Sequence, residues 1–134
     1  MRSAVWIGAG LAAIVVVIAG GFAANHIEAR QRLVERVRTM TGGDPDAGRA
    51  AIKIHSCGGC HQIPGVHGAA GKVGPPLGGF AGRTYIGGRL NNTPDNLAAW
   101  ILDPHAFDPR SAMPPTEASA TEARDMAAYL YTLN

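Results

Sequence analysis

Both cysteines of this chain lie in one short segment, Cys57-Gly58-Gly59-Cys60-His61. Two thiols at that spacing can each bond one vinyl group of a haem, and the histidine that follows at once becomes the proximal ligand of the iron. The same residues admit two other readings, a redox disulfide and half of a zinc site. A structural zinc site needs four ligands, and no second cysteine pair exists. A thioredoxin-like disulfide needs a βαβ context, which the glycine- and proline-rich stretch after His61 does not offer. Covalent haem is the favoured reading.

The second iron ligand separates electron transfer from catalysis. A thioether favours the reduced state and closes the sixth position, whereas an open position binds peroxide or a diatomic gas. The methionines are Met1, Met40, Met113 and Met126. The first two belong to the N-terminal segment, and Met126 falls on the apolar side of a C-terminal helix, where a packed core residue is the default. Met113 stands between Pro109 and Pro114-Pro115 in a stretch unable to become helix, which makes a rigid ligand loop; a loop methionine that merely packs is the alternative. Among the histidines, His55 is too close to Cys57 to reach the opposite haem face, and His67 and His105 read as surface residues, with bis-histidine ligation through His105 as the minor alternative. Arg83 is a candidate partner for a haem propionate, because a guanidinium pairs with a carboxylate through two hydrogen bonds. A plain surface arginine is the competing reading. Trp100, on the helix before the methionine loop, is expected beside the haem, with its N–H on a propionate or a loop carbonyl. No convergent set of acid, base and nucleophile appears.

Three helices are expected to position these groups. Asp44-Pro45 supplies an N-cap and a first-turn proline for a helix over 46–56 that delivers the cysteines, and Gly58-Gly59 ends it. Thr93-Pro94 starts a second over 95–102, closed by Pro104. Ser119 with Glu122 forms a capping box for the last, whose apolar face is Ala123, Met126, Ala127, Leu130 and Leu133. No segment alternates as a strand, so the domain is expected to be all-α. A domain of about 90 residues with long glycine-rich loops buries little core by itself; the haem supplies the apolar centre, and the apoprotein is expected to fold poorly.

Residues 3–25 carry no charged side chain, enough to span a bilayer core of about 30 Å as one helix. A secretory signal has an apolar core of only about 7–15 residues, so an uncleaved transmembrane anchor over 1–25 is preferred to a signal peptide. Beyond it, Ile27, Leu33, Val34, Val37 and Met40 recur at helical spacing, which extends the helix until Thr41-Gly42-Gly43 breaks it. Residues 26–43 are thus a juxtamembrane helix and linker, and residues 44–134 the haem domain. The chain carries 12 Lys/Arg and 10 Asp/Glu, a net +2, but residues 41–134 hold seven Lys/Arg against eight Asp/Glu, so the positive balance belongs to the anchor. Strong electrostatic steering is not evident, and neither a nucleic acid nor a small-molecule substrate is an expected partner.

Residues 44–134 resemble class I c-type cytochromes, in the haem motif, Gly74-Pro75-Pro76-Leu77, Leu97 to Pro104, Pro109 to Met113 and Ala128-Tyr129-Leu130. The stretch from Gly82-Arg83-Thr84-Tyr85 through Asn92-Thr93-Pro94-Asp95-Asn96-Leu97 is most similar to the cytochrome c domains associated with bacterial haem-copper oxidases, here with no copper-binding cysteine cluster. The resemblance implies one haem c, His61 and Met113 as axial ligands, and the carbonyl of Pro75 as acceptor of the His61 imidazole N–H, although Pro76 replaces the asparagine often found there. It also implies a crossing of first and last domain helices at Gly48 and Tyr129, where glycine lets an aromatic ring approach. A cytochrome bc complex as donor and a terminal haem-copper oxidase as acceptor follow from the same likeness.

Topology sets two arguments against each other. Arg30, Arg32, Arg36 and Arg38 follow the span while only Arg2 precedes it, which favours a cytoplasmic domain; the family matures its haem outside the cytoplasmic membrane. The haem is needed for the fold, so the periplasmic side of a bacterial cytoplasmic membrane is the expected location. The arginines then read as a solvated helix face, supported by pairs such as Glu28 with Arg32, or as a contact for anionic lipid. The leading reading is a membrane-anchored carrier or electron-entry subunit of a respiratory chain. Its rivals are a haem enzyme or gas or peroxide sensor in which Met113 detaches, and an assembly subunit.

Overall fold

The computed structural model describes the backbone of residues 2–134 and the side chains of residues 14–134. The chain divides into two compact units, Met1–Leu33 and Val34–Asn134. Residues 2–33 of the first belong to helix α1 (Arg2–Thr41). Within it Ile14, Val15, Val16, Val17, Ile18 and Phe22 are all exposed, Phe22 meets His26 edge to face at 4.2 Å, and Arg32 pairs with Glu28 at 3.5 Å. Among the described residues no helix is long and apolar enough to cross a membrane. The side chains of residues 3–13, the first half of the expected span, lie outside the described residues.

The second unit begins inside α1. Val37 and Thr41 are buried; the Thr41 hydroxyl donates to the Val37 carbonyl at 2.8 Å and accepts from the amide of Gly43. Gly42 ends the helix at φ +68, a conformation that costs glycine nothing. Asp44 then caps α2 (Pro45–Ile54), its carboxylate accepting from the amides of Asp46 and Ala47, which satisfies donors that a helix start leaves bare. Thr93 caps α3 (Pro94–Leu102) in the same way through the amide of Asn96. The capping box of Ser119 and Glu122 opens α4 (Ala120–Tyr131).

Helices α2 and α4 share the largest interface, and α3 packs on α4 as well. Ala123, Ala127 and Ala128 are fully buried in α4, Ala51 and Ile52 are among the buried residues of α2, and Leu97, Trp100 and Ile101 are those of α3. A Cβ on Gly48 would stand 1.8 Å from the carbonyl oxygen of Asp125. What comes against Gly48 is therefore the main chain of α4. The Tyr129 hydroxyl donates to the Pro64 carbonyl at 2.7 Å and lies against Gly65.

The domain is mostly helical, with a departure from the all-α expectation. Strands β1 (Tyr85–Ile86) and β2 (Leu90–Asn91) pair antiparallel, Tyr85 opposite Asn91 and Ile86 opposite Leu90, and Gln62 bridges Ala70. Gly87 and Gly88 make the turn with positive φ. Strands this short show no alternation for a sequence to display. The first two helices also end or begin slightly apart from the expected bounds, α2 stopping at Ile54 and α3 starting at Pro94.

Candidate haem site

Helix α2 stops two residues before the cysteines, and Ser56 takes a left-handed conformation at φ 55, the sole non-glycine residue to do so among the described residues. That turn starts a 3-10 turn over Cys57–Gly59. The Cys57 carbonyl accepts from the amides of both Cys60 and His61, at 3.2 and 2.9 Å, so the two thiols and the imidazole are fixed by one wound segment. Both cysteines are free, Cys57 half-buried and Cys60 exposed. Burial pushes the Cys57 thiol above its ordinary pKa, and the Cys60 thiol beside it adds to that. This is the opposite of the lowered thiol that a redox-active pair requires. Among the described residues no group of three or more His, Cys, Asp or Glu side chains is placed to hold a metal ion, so the zinc alternative fails for want of ligands.

The His61 ring is held from two sides. Its Nδ1 lies 2.8 Å from the Pro75 carbonyl. A carbonyl only accepts, so Nδ1–H is the donor, and in the neutral ring that tautomer leaves the lone pair on Nε2. Beneath the ring, a Cβ on Gly74 would stand 2.3 Å from Cε1 and 2.6 Å from Nδ1; only glycine leaves the space in which the ring lies. The segment carrying Gly74 and Pro75 is tied back to the motif by the Gly74 amide on the Cys60 carbonyl, 2.9 Å, and the Leu77 amide on the Gln62 carbonyl, 2.7 Å.

Met113 is half-buried in a chain segment with no regular structure. Its amide is bonded to the Ser111 hydroxyl at 3.2 Å. The loop is pinned before Met113 by His105, whose Nε2–H donates to the Ser111 carbonyl at 3.0 Å. After it, the Thr116 hydroxyl donates to the Ile101 carbonyl at 2.8 Å and the Thr116 amide to Leu102 at 3.0 Å. The prolines alone did not reveal these anchors. His105, weighed as a ligand, serves here as a brace. Met126 is buried in α4. His55 caps the end of α2 and faces Glu122 at 3.4 Å, and His67 is exposed.

Arg83 is no plain surface arginine: its guanidinium donates to the Pro76 and Gly78 carbonyls and lies over the Phe80 ring at 5.1 Å. Trp100 is 9% exposed, stacks on Phe107 at 6.4 Å and fills the space over Gly87, where a Cβ would come within 2.4 Å of the indole. Its N–H makes no bond to a loop carbonyl among the described residues, so one of the two partners expected for it is not used. No sequence signal points to a further pair: the Tyr131 hydroxyl donates to Asn92 Oδ1 at 2.9 Å, and Asn92 Nδ2 donates to the carbonyls of Phe80 and Arg83 at 3.1 and 3.0 Å.

A motif with two thiols, an imidazole whose Nδ1 is committed to a carbonyl, and a glycine cradle under the ring fit haem c and fit the other candidate groups poorly. Comparison with known proteins agrees. The family profile of Cytochrome c matches residues 45–134, and the chain belongs to the cytochrome c family. Membership makes it an electron-transfer protein of the kind that carries covalent haem c. It is 37% identical over 87 residues to cytochrome c oxidase subunit 2 of Alkalihalophilus pseudofirmus (strain ATCC BAA-2126 / JCM 17055 / OF4). The match covers 64% of this chain and 25% of that protein, so the chain spans about a quarter of the length of this relative.

Proposed function

We propose that this protein is a membrane-anchored mono-haem cytochrome that passes single electrons from a quinol-oxidising cytochrome bc complex to a terminal haem-copper oxidase, either as a tethered carrier or as a bound subunit. Residues 3–25 hold it in the lipid of a bacterial cytoplasmic membrane with residues 44–134 on the periplasmic side. Cys57 and Cys60 would attach one haem c, and His61 and Met113 would hold its iron. When bound, the haem supplies a one-electron ferric/ferrous couple. Pro75 orients the His61 ring and makes it a stronger donor, since a hydrogen bond at the far nitrogen raises ligand basicity. Met113, in a loop fixed at Ser111 and Thr116, would supply a thioether to the iron and so keep substrate from it. Trp100 walls the site, and the N–H groups that Arg83 does not spend on Pro76 and Gly78 are available to a propionate.

The observation that carries this reading is the His61–Pro75 bond, which commits Nδ1 to the carbonyl and leaves Nε2 as the ring's other nitrogen to serve as a ligand, directly after two free thiols. Partner choice rests on the partial likeness to an oxidase subunit. A membrane tether raises the effective concentration of a carrier near its partners without added affinity, which suits a domain with little net charge.

The test is an optical redox titration of the detergent-purified protein, with the near-infrared sulfur-to-ferric-iron band recorded alongside. A positive potential with the band present, and both lost in Met113→Ala, is the expected result. A low potential without the band removes Met113 from the iron and turns attention to open-site or bis-histidine chemistry.

A further inference from the structure

The segment that places Pro75 against His61 has little stiffness of its own. Between Pro76 and Arg83 it contains Gly78, Gly79 and Gly82, and Gly79 sits at φ +64. Backbone bonds to residues 60–62 fix its near end, and at its far end the Ala81 amide donates to the Leu133 carbonyl at 3.1 Å. Asn92 secures the chain on both sides of that single bond, with every polar atom of its side chain. Both amide protons go to carbonyls, those of Phe80 and Arg83, which bracket the 3-10 turn Phe80–Gly82. The remaining oxygen then faces a donor, the Tyr131 hydroxyl. With both protons used, the orientation of the amide follows from the bonding itself.

The two residues are themselves held. Tyr131 is 7% exposed on α4, the helix with the most extensive packing, and its ring meets Phe80 edge-on at 6.2 Å. The Asn92 amide donates to the Thr84 carbonyl at 2.9 Å. Arg83, once its carbonyl is fixed by Asn92, sends its guanidinium back to the carbonyl of Pro76, the residue next to the one that receives His61. The line from α4 to the imidazole is therefore continuous: Tyr131, Asn92, Arg83, Pro76, Pro75, His61. Burial raises the pKa of Tyr131, which keeps its proton in place as a donor.

We infer that Asn92 and Tyr131 are positioning residues for the proximal imidazole, holding the 76–83 segment so that the Pro75 carbonyl stays on His61 Nδ1–H. The inference rests on the reading of His61 as the haem ligand. It adds two residues that touch neither the motif nor the ring. Weakening either end of the brace lets the segment open locally, exposes Nδ1–H to water and loosens the bond that tunes the ligand.

The experiment uses the full-length reduced holoprotein in detergent, labelled with nitrogen-15, and compares wild type with Tyr131→Phe and Asn92→Ala. Proton exchange is followed at His61 Nδ1–H and at the Gly74 and Leu77 amides, with the Ala51 and Ala127 amides of α2 and α4 as references. Loss of one hydrogen bond predicts exchange about 5-fold faster at the first three sites in Tyr131→Phe, more in Asn92→Ala, and no change at the references. Unchanged exchange at His61 overturns the inference, as does equal acceleration at the references, which indicates plain loss of stability. The oxidised wild type separates this from the haem reading: His61 ring protons without a hyperfine shift refute the ligand, whatever the exchange ratio says of the brace.

Discussion

Gly74→Ala tests the proximal arrangement directly. The added Cβ would stand 2.3 Å from His61 Cε1, and ordinary contact begins near 3.4 Å, so ring and main chain must separate by about 1 Å. The ring is pinned through Nδ1 at 2.8 Å from the Pro75 carbonyl, and a displacement of that size takes the pair beyond hydrogen-bond distance. A neutral hydrogen bond has a net worth of about 1 kcal/mol. If the whole of it distinguishes ferric from ferrous protein, the one-electron potential moves by about 40 mV, since a tenfold change in equilibrium constant is about 59 mV for one electron. The direction is upward: an imidazole that no longer donates to a carbonyl is a weaker base, and the ferric state loses more by that than the ferrous. Optical redox titration of the purified holoprotein reads the shift, with Gly82→Ala as control because an added Cβ there meets nothing within 4 Å. A Gly74→Ala potential within about 10 mV of wild type, or below it, refutes the reasoning.

Other expectations concern stability. Gly48→Ala places a methyl 1.8 Å from the Asp125 carbonyl oxygen; main chain cannot swing aside, so α2 and α4 must part, at a cost of about 3 kcal/mol that outweighs the ~1 kcal/mol alanine gains in helix propensity. Thermal melting of the holoprotein should drop by about 10 °C or more, and a melting temperature equal to that of Gly82→Ala would show that the crossing is looser than described. The Asp44 carboxyl is held below its ordinary pKa by the amides of Ala47 and Asp46 and by Arg38, so its contribution is present above the unfolded value of about 3.9 and lost as pH falls through the lower folded value. Asn caps as well as Asp but carries no charge; urea midpoints of wild type and Asp44→Asn should converge as pH drops below that range, and a constant gap would assign the effect to something other than charge.

Much of the fold was legible because its signals are local. Asp44, Thr93 and Ser119 each cap the helix that follows them, since a short polar side chain before a helix start has few better uses, and the cysteine motif needs only a few consecutive residues to be read. The hairpin Tyr85–Asn91 escaped notice because two-residue strands carry no periodicity, although Gly87-Gly88 is a turn signal. The partnership of Asn92 with Tyr131 joins residues that nothing in composition or spacing connects. The spacing of Gly48 from α4 is set by the main chain at Asp125, which no side-chain pattern encodes. The roles of His105 and Thr116 as anchors of the Met113 loop likewise exist only once α3 has brought its C-terminal carbonyls beside the loop.

The family profile begins at residue 45, yet the compact unit begins at Val34. Val37 and Thr41 are buried, and the Asp44 amide is bonded to Asp125. The module that can be recognised and the module that can be cut out are therefore different lengths. A protease that releases an intact cytochrome has to cleave before residue 34, and a gene fusion that grafts residues 45–134 onto another carrier would leave behind about two helical turns of its own foundation.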